Sequence, residues 1–159
     1  MGIKNHFMSQ FLRFCICLLC CTQSFVAFSF QSEDDILGTW VSEKKNVVIN
    51  VYKDKGEFRA KILWFNDRDD PSQPRATRKD IHNPDESLRD RLIIGMDVLE
   101  GLTFNPKSHR WEKGKIYDPR HGKYWSSVVY FNKKNQMEVK GYWKFEFLSQ
   151  TLAFDRYKK

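Results

Sequence analysis

Apolar residues at every second position, broken at short intervals by turn residues, constrain this chain more than any other feature. Phe58, Ala60, Ile62 and Trp64 alternate with Glu57, Arg59, Lys61 and Leu63, the spacing of a strand with one buried and one mostly wet face. The plainest turn follows Trp111, where Gly114-Lys115-Ile116-Tyr117 leads into Asp118-Pro119-Arg120-His121-Gly122 and out through Lys123-Tyr124-Trp125-Ser126-Ser127-Val128-Val129-Tyr130. Proline suits the first position of a type I turn, the aspartate before it can bond back to the turn backbone, and the glycine three residues on can adopt positive φ. The stretch is a hairpin, and its aromatic and β-branched flanks place it in a larger antiparallel sheet.

Followed along the chain, the same period predicts eight strands: 36–41, 47–52, 58–64, 92–99, 110–117, 124–131, 136–143 and 148–157. In the seventh, Met137, Val139, Gly141 and Trp143 share one side. Consecutive strands with mostly short turns suit an all-β, up-and-down meander that closes on itself and so removes its edges. A barrel of that size is filled by side chains or holds one small ligand. An open sandwich is the alternative, because periodicity gives strands and not closure. A five-stranded oligonucleotide-binding barrel has too few strands.

One segment breaks the rhythm. Residues 66–84 are polar and rich in charge and proline, and the connection exceeds the ~12 to 15 residues beyond which a loop is a functional flap or simply mobile. Asn83-Pro84-Asp85-Glu86 then predicts a short helix over 83–91, with Asn83 as cap, proline at the first helical position and the acids where the helix dipole favours negative charge.

The N-terminus carries Lys4, Arg13 and an apolar run over 14–21 that resumes at 25–28, with no acidic residue before Glu33. That is the order of a secretory signal peptide, too short and interrupted for a membrane span. Cleavage after Ser29 uses Ala27 and Ser29 as small residues, and leaves residues 30–159 as a single exported domain; cleavage after Ser24 is the alternative. Cys15, Cys17, Cys20 and Cys21, all four cysteines, lie in the leader, so the mature chain has no disulfide, cysteine-ligated zinc or thiol nucleophile. Lipid anchoring at Cys20 or Cys21 is the minority reading, because Leu19 or Cys20 stands where a small residue is normal. Without Lys4 and Arg13, 25 of the 27 basic residues face 20 acidic ones. This moderate, scattered excess indicates no nucleic-acid site, and the domain is expected to be a monomer with no transmembrane span.

The order Gly38-x-Trp40, Asn83-Pro84-Asp85 with Leu88 and Arg91, Gly95, Trp111-x-x-Gly114-x-Ile116-Tyr117-Asp118-Pro119, Gly122-x-x-Trp125, Gly141-Tyr142 and Arg156 resembles the secreted bacterial family known as domain of unknown function 2147. The resemblance spans nearly the whole mature chain and implies an exported, lipocalin-like barrel of no established activity. The chain departs from the family at Ser149 and Gln150, where glycine and arginine are usual, and at Phe154, where tryptophan is usual.

His82, His109 and His121 are scattered without metal-ligand spacing. Asp67, Asp69 and Asp70 lack the glycine and distal glutamate of a calcium loop. No metal, cofactor or catalytic residue is implied, and the motifs of serine hydrolases, phosphate loops and zinc proteases are missing. Asp97 and Asp118 could form an acid-base pair across strands, though Asp118 also suits the opening of the turn. Trp64, Trp111, Tyr117, Trp125, Tyr142 and Trp143 are either core or a stacking platform. The leading reading is a binding module for a small apolar or amphipathic ligand at the barrel mouth. Beside the Asn83 segment, Arg91 would meet an anionic head group, over an apolar wall of Trp64 and Tyr117. The alternatives are that Arg91 pairs with Asp97 or Asp118 and plugs the barrel, that a filled barrel serves as an envelope interaction module, and that the carboxylates make a hydrolase.

Overall fold

A computed structural model describes residues 31–144, 146 and 149–158; the segment expected as a leader, with the four cysteines, and Leu148, expected to open the last strand, lie outside them. Eight strands, β1 (Gly38–Ser42), β2 (Val47–Asp54), β3 (Glu57–Phe65), β4 (Asp97–Asn105), β5 (Arg110–Asp118), β6 (Lys123–Phe131), β7 (Met137–Tyr142) and β8 (Ser149–Arg156), pair antiparallel in chain order and close β8 onto β1. The sheet is a closed up-and-down barrel, so the sandwich alternative falls. Closure is made by Trp40 opposite Arg156 and Ser42 opposite Phe154.

Several boundaries differ from the periodic expectation. Ile36 ends a 3-10 helix, Glu33–Ile36, capped by a reciprocal pair in which the Ser32 side chain accepts from the backbone and Asp35 accepts from the Ser32 N–H; β1 begins only at Gly38. The fourth strand starts at Asp97, not Leu92, because Lys61 is the residue of β3 that pairs with Asp97. Before it, 91–96 forms a strap, with Ile93 and Met96 buried against Ile62 and Tyr117 in a second, smaller apolar cluster. The predicted helix is a 3-10 turn, Glu86–Leu88, capped by Asp85 and not Asn83. Leu88 in this turn is half-buried. β7 stops at Tyr142, and Trp143 is 58% exposed.

Trp64 changes face. The β2–β3 register slips by one residue, pairing Ile49 with Ile62 but Val48 with Trp64. A slip of one residue sends a side chain through the sheet, so Trp64 leaves the inner face and lies under the Arg75 guanidinium, 5.0 Å from its ring centre.

The barrel interior is packed from wall to wall at the end that carries the Glu33–Ile36 helix. Trp111 of β5 meets Phe58 of β3 at 6.4 Å and Phe131 of β6 at 5.7 Å, and Phe131 meets Trp40 of β1 at 5.8 Å. Gly114 is required here, since a Cβ would stand 2.5 Å from Leu102. The 3-10 helix stoppers this end: Trp40 Nε1–H donates to the Ile36 carbonyl (2.8 Å) and Trp111 Nε1–H to the Glu33 carbonyl (2.9 Å). Arg156 lies 4.2 Å from the Trp40 ring centre and donates to the Leu37 and Asp35 carbonyls. Phe154 is buried in the same core, so the aromatic role survives its departure from tryptophan.

A cation-π contact of this kind is worth about 1 to 2 kcal/mol, and two hydrogen bonds to the stopper add to it. Arg156→Ala is therefore expected to lower the urea midpoint clearly, whereas Lys158→Ala leaves it within error. Equal effects would show that Arg156 does not close the barrel.

Candidate functional site

Everything that shapes the site follows from Asp80, whose side chain is 0% exposed. A carboxylate taken fully from water must be bonded on every side. Tyr117 Oη donates to Oδ1 at 2.7 Å, while Asn83 Nδ2 (2.7 Å), Arg91 Nε (3.0 Å) and Arg91 Nη2 (2.9 Å) converge on Oδ2. The backbone adds Asp80 N–H to the Arg91 carbonyl, 3.0 Å, and Ile93 N–H to the Arg78 carbonyl, 3.0 Å, flanking the Lys79–Leu92 bridge. Burial, the bond to Asp80 and its charge together push the Tyr117 phenol far above its ordinary range, so it stays a donor.

Arg78 organises the loop before Asp80. Its guanidinium donates to the Gln73, Asp67 and Asp70 carbonyls and to the Asp69 carboxylate, while stacking on Phe65. The carboxyl of Asp69 is held below the usual range chiefly by the bond from Arg78, that of Asp67 by the Arg75 N–H and that of Asp70 by Ser72. These three acids therefore wrap an arginine, and among the described residues no group of histidines and carboxylates could hold a metal ion. On the other side, Gly122 (φ 61°) sits so close to the crossover that a Cβ would fall 1.8 Å from the His82 carbonyl oxygen. The long connection is thus strapped down.

Between this strap and the barrel lies a groove of about 520 Å³. Leu92, Ile94, Gly95 and Met96 line it from the strap, and Arg59, Val98, Glu100, Lys115, Tyr117 and Tyr124 from the sheet. It is on the outer wall: Leu99 and Ile116 face each other within the core, so their neighbours Glu100 and Lys115, also paired, point away from it. The cavity is therefore not in the barrel mouth.

Of the residues singled out from sequence, Arg91 and Tyr117 line the groove. Asn83 supports them through Asp80 and through Oδ1, which accepts the Asp85 N–H at 2.9 Å. The others are elsewhere. Trp64 is beneath Arg75, Trp111 is core at the stoppered end, and Trp125 meets the exposed Trp143 at 5.8 Å, edge to face. Asp118 opens its turn, accepting Arg120 N–H at 3.0 Å and contacting His121 Nδ1 at 2.6 Å. Asp97 instead accepts Tyr52 Oη at 2.7 Å and faces Arg59 at 3.6 Å, so each carboxylate of the suggested acid-base pair is engaged separately. Arg91 pairs with neither of them but with Asp80, which sequence reasoning missed. Lys115 and Tyr124 were missed as well; their alternation with Gly114, Ile116 and Trp125 was the only signal.

The sequence profile of a family described as an uncharacterized protein conserved in bacteria, domain of unknown function 2147, matches residues 38–156. The chain belongs to this family. Among solved structures it is similar to Protein HP1028 from the human pathogen Helicobacter pylori, which is described as belonging to the lipocalin family, with a TM-score of 0.65, 22% identity, and 78% of this chain and 84% of that chain covered. That likeness shows the fold, a lipocalin-like barrel. No curated protein matches the chain. Among the described residues no helix is long and apolar enough to cross a membrane.

Tyr52, on the same outer wall, has its phenol pushed up to about 12, first by burial and then by the bond to Asp97. A raised folded-state value contributes stability that is whole below the unfolded value of about 10 and is lost as pH rises from there through the folded value. The wild-type melting temperature is expected to fall between about pH 10 and 12 more steeply than that of Tyr52→Phe, measured under identical conditions so that lysine titration cancels. Parallel curves would contradict the assignment.

Proposed function

We propose that this family member is an exported binding protein that takes a small amphipathic ligand in the groove between the strap and the outer barrel wall. The observation that carries the reading is the groove itself: its volume is within the roughly 300 to 1,000 Å³ of small-molecule sites, and an apolar side formed by Leu92, Ile94, Met96 and Val98 adjoins the charged groups Arg91 and Lys115. Leu92 and Tyr124 remain 45% and 42% exposed, so apolar area is still available for burial. Export rests on the basic, apolar and small-residue order of the leader, and the mature protein would begin near Phe30.

The experiment is calorimetric titration of the purified mature protein with decanoate, whose size suggests a dissociation constant on the order of 0.1 mM. Leu92→Asp should weaken binding tenfold or more with little change in melting temperature, because this side chain is already half in water. Leu152→Asp, at the inner face of β8 opposite Val139, should bind like wild type. Binding lost in the second variant and kept in the first would move the site to the barrel mouth. A second reading, an envelope interaction module that holds no small molecule, draws on the aromatic packing of the interior; it is the conclusion if no amphiphile binds.

A further inference from the structure

We infer that the groove selects a planar aromatic ligand bearing an acidic group, with Tyr124 as the stacking surface and Lys115 as the charge partner. The inference rests on the groove being a ligand site, and specifies which ligand chemistry it prefers.

The first support is a preformed cluster of planar groups. The Arg91 guanidinium lies 5.4 Å from the centre of the Tyr117 ring, and the Tyr117 and Tyr124 ring centres are 4.6 Å apart at 39°. Asp80 fixes two of these three groups, through two guanidinium nitrogens and the Tyr117 hydroxyl. Tyr124, directly opposite Tyr117 in the β5–β6 register, leans on that fixed pair and leaves part of its ring to the groove. A flexible acyl chain gains only from the apolar area it covers and loses rotamer freedom. A rigid ring gains the additional stacking term against a surface already ordered.

The second support is the charge balance of the lining. Glu100 accepts from Arg59 Nη2 at 2.9 Å, Asp97 has Tyr52 and Arg59, and Arg91 has Asp80. Lys115 forms no ion pair among the described residues, although Glu100 is its cross-strand neighbour, because that carboxylate is turned to Arg59. Lys115, with no ion-pair partner among the described residues, lies one alternation along β5 from Tyr117, on the same outer face. An acidic group on the ring's edge is the complement of that arrangement. A cationic or neutral edge is not, since the acids of the lining are already occupied.

The test is calorimetric titration of the purified protein with 2-naphthoate, its neutral isostere 2-naphthamide, and decanoate. The naphthoate should bind at least fivefold more tightly than the naphthamide and than decanoate. Tyr124→Leu should weaken naphthoate threefold to tenfold and decanoate by less than twofold, since leucine keeps apolar area but offers no ring face, with Tyr124→Phe restoring naphthoate binding. Lys115→Met should remove the preference for naphthoate over naphthamide without weakening the amide. Both side chains are exposed, and circular dichroism of each variant checks that the fold is kept. If decanoate binds as tightly as naphthoate, or the isosteres bind alike, or Tyr124→Leu changes nothing, the aromatic-acid preference is wrong while the groove stands as a site. If none of the three ligands binds, the groove reading falls, and this inference with it.

Discussion

A carboxylate with no exposure to water is expensive unless its partners are built around it, and Asp80 has four bonds on its two oxygens. Removing one partner of such a cluster costs about 3 to 5 kcal/mol, because the remaining charge stays buried. The partners come from both sides of the groove: Arg91 and Asn83 from the crossover, and Tyr117 from the sheet. The Asp80 cluster therefore fixes the distance between strap and wall, and the groove is the space left at that distance. Arg78 before it and the Gly122 contact with His82 keep the flanking chain in place.

The aromatic packing of the interior gives this outer space its importance. Closing the meander removes the sheet edges that would invite aggregation. The cost of closure is an interior that must be filled, here by Trp40, Phe58, Trp111 and Phe131, with a 3-10 helix bonded to both indoles. With one barrel end sealed on its own side chains, a free concave surface lies outside, where a long crossover lies against charged and aromatic residues of β3 to β6.

The barrel was legible because period two is a local signal. The Asp118 to Gly122 hairpin, the number of strands and the meeting of Trp40 with Arg156 all follow from alternation and chain order. What failed to show was set by contacts distant in sequence or by single-residue irregularities. The slip at Val48 and Ile49 carries Trp64 to the outer face, and nothing near Trp64 announces it. Leu92-Ile93-Ile94 reads as strand by composition, yet it belongs to the strap, whose Ile93 and Met96 pack against Ile62 and Tyr117. The sharpest case is Asp80: the sequence offers Asp97 and Asp118 as alternative partners for Arg91, whereas its partner is 11 residues upstream and the third member, Tyr117, is 37 residues away from Asp80. Among several aspartates in a polar stretch, only the tertiary fold distinguishes the one that is buried.

Asp80 holds the strap on a barrel that stands without it. Amide hydrogen exchange in Asp80→Asn tests this directly, since the change keeps the volume and removes the charge. The Ile93 and Gly95 amides, which bond to Arg78 and Ile62, are expected to exchange about 100-fold faster or more, the equivalent of about 3 kcal/mol, while Leu99 and Val129 keep their protection. Unchanged protection at Ile93 and Gly95 would contradict the account, as would a loss shared equally by the strap and the barrel core.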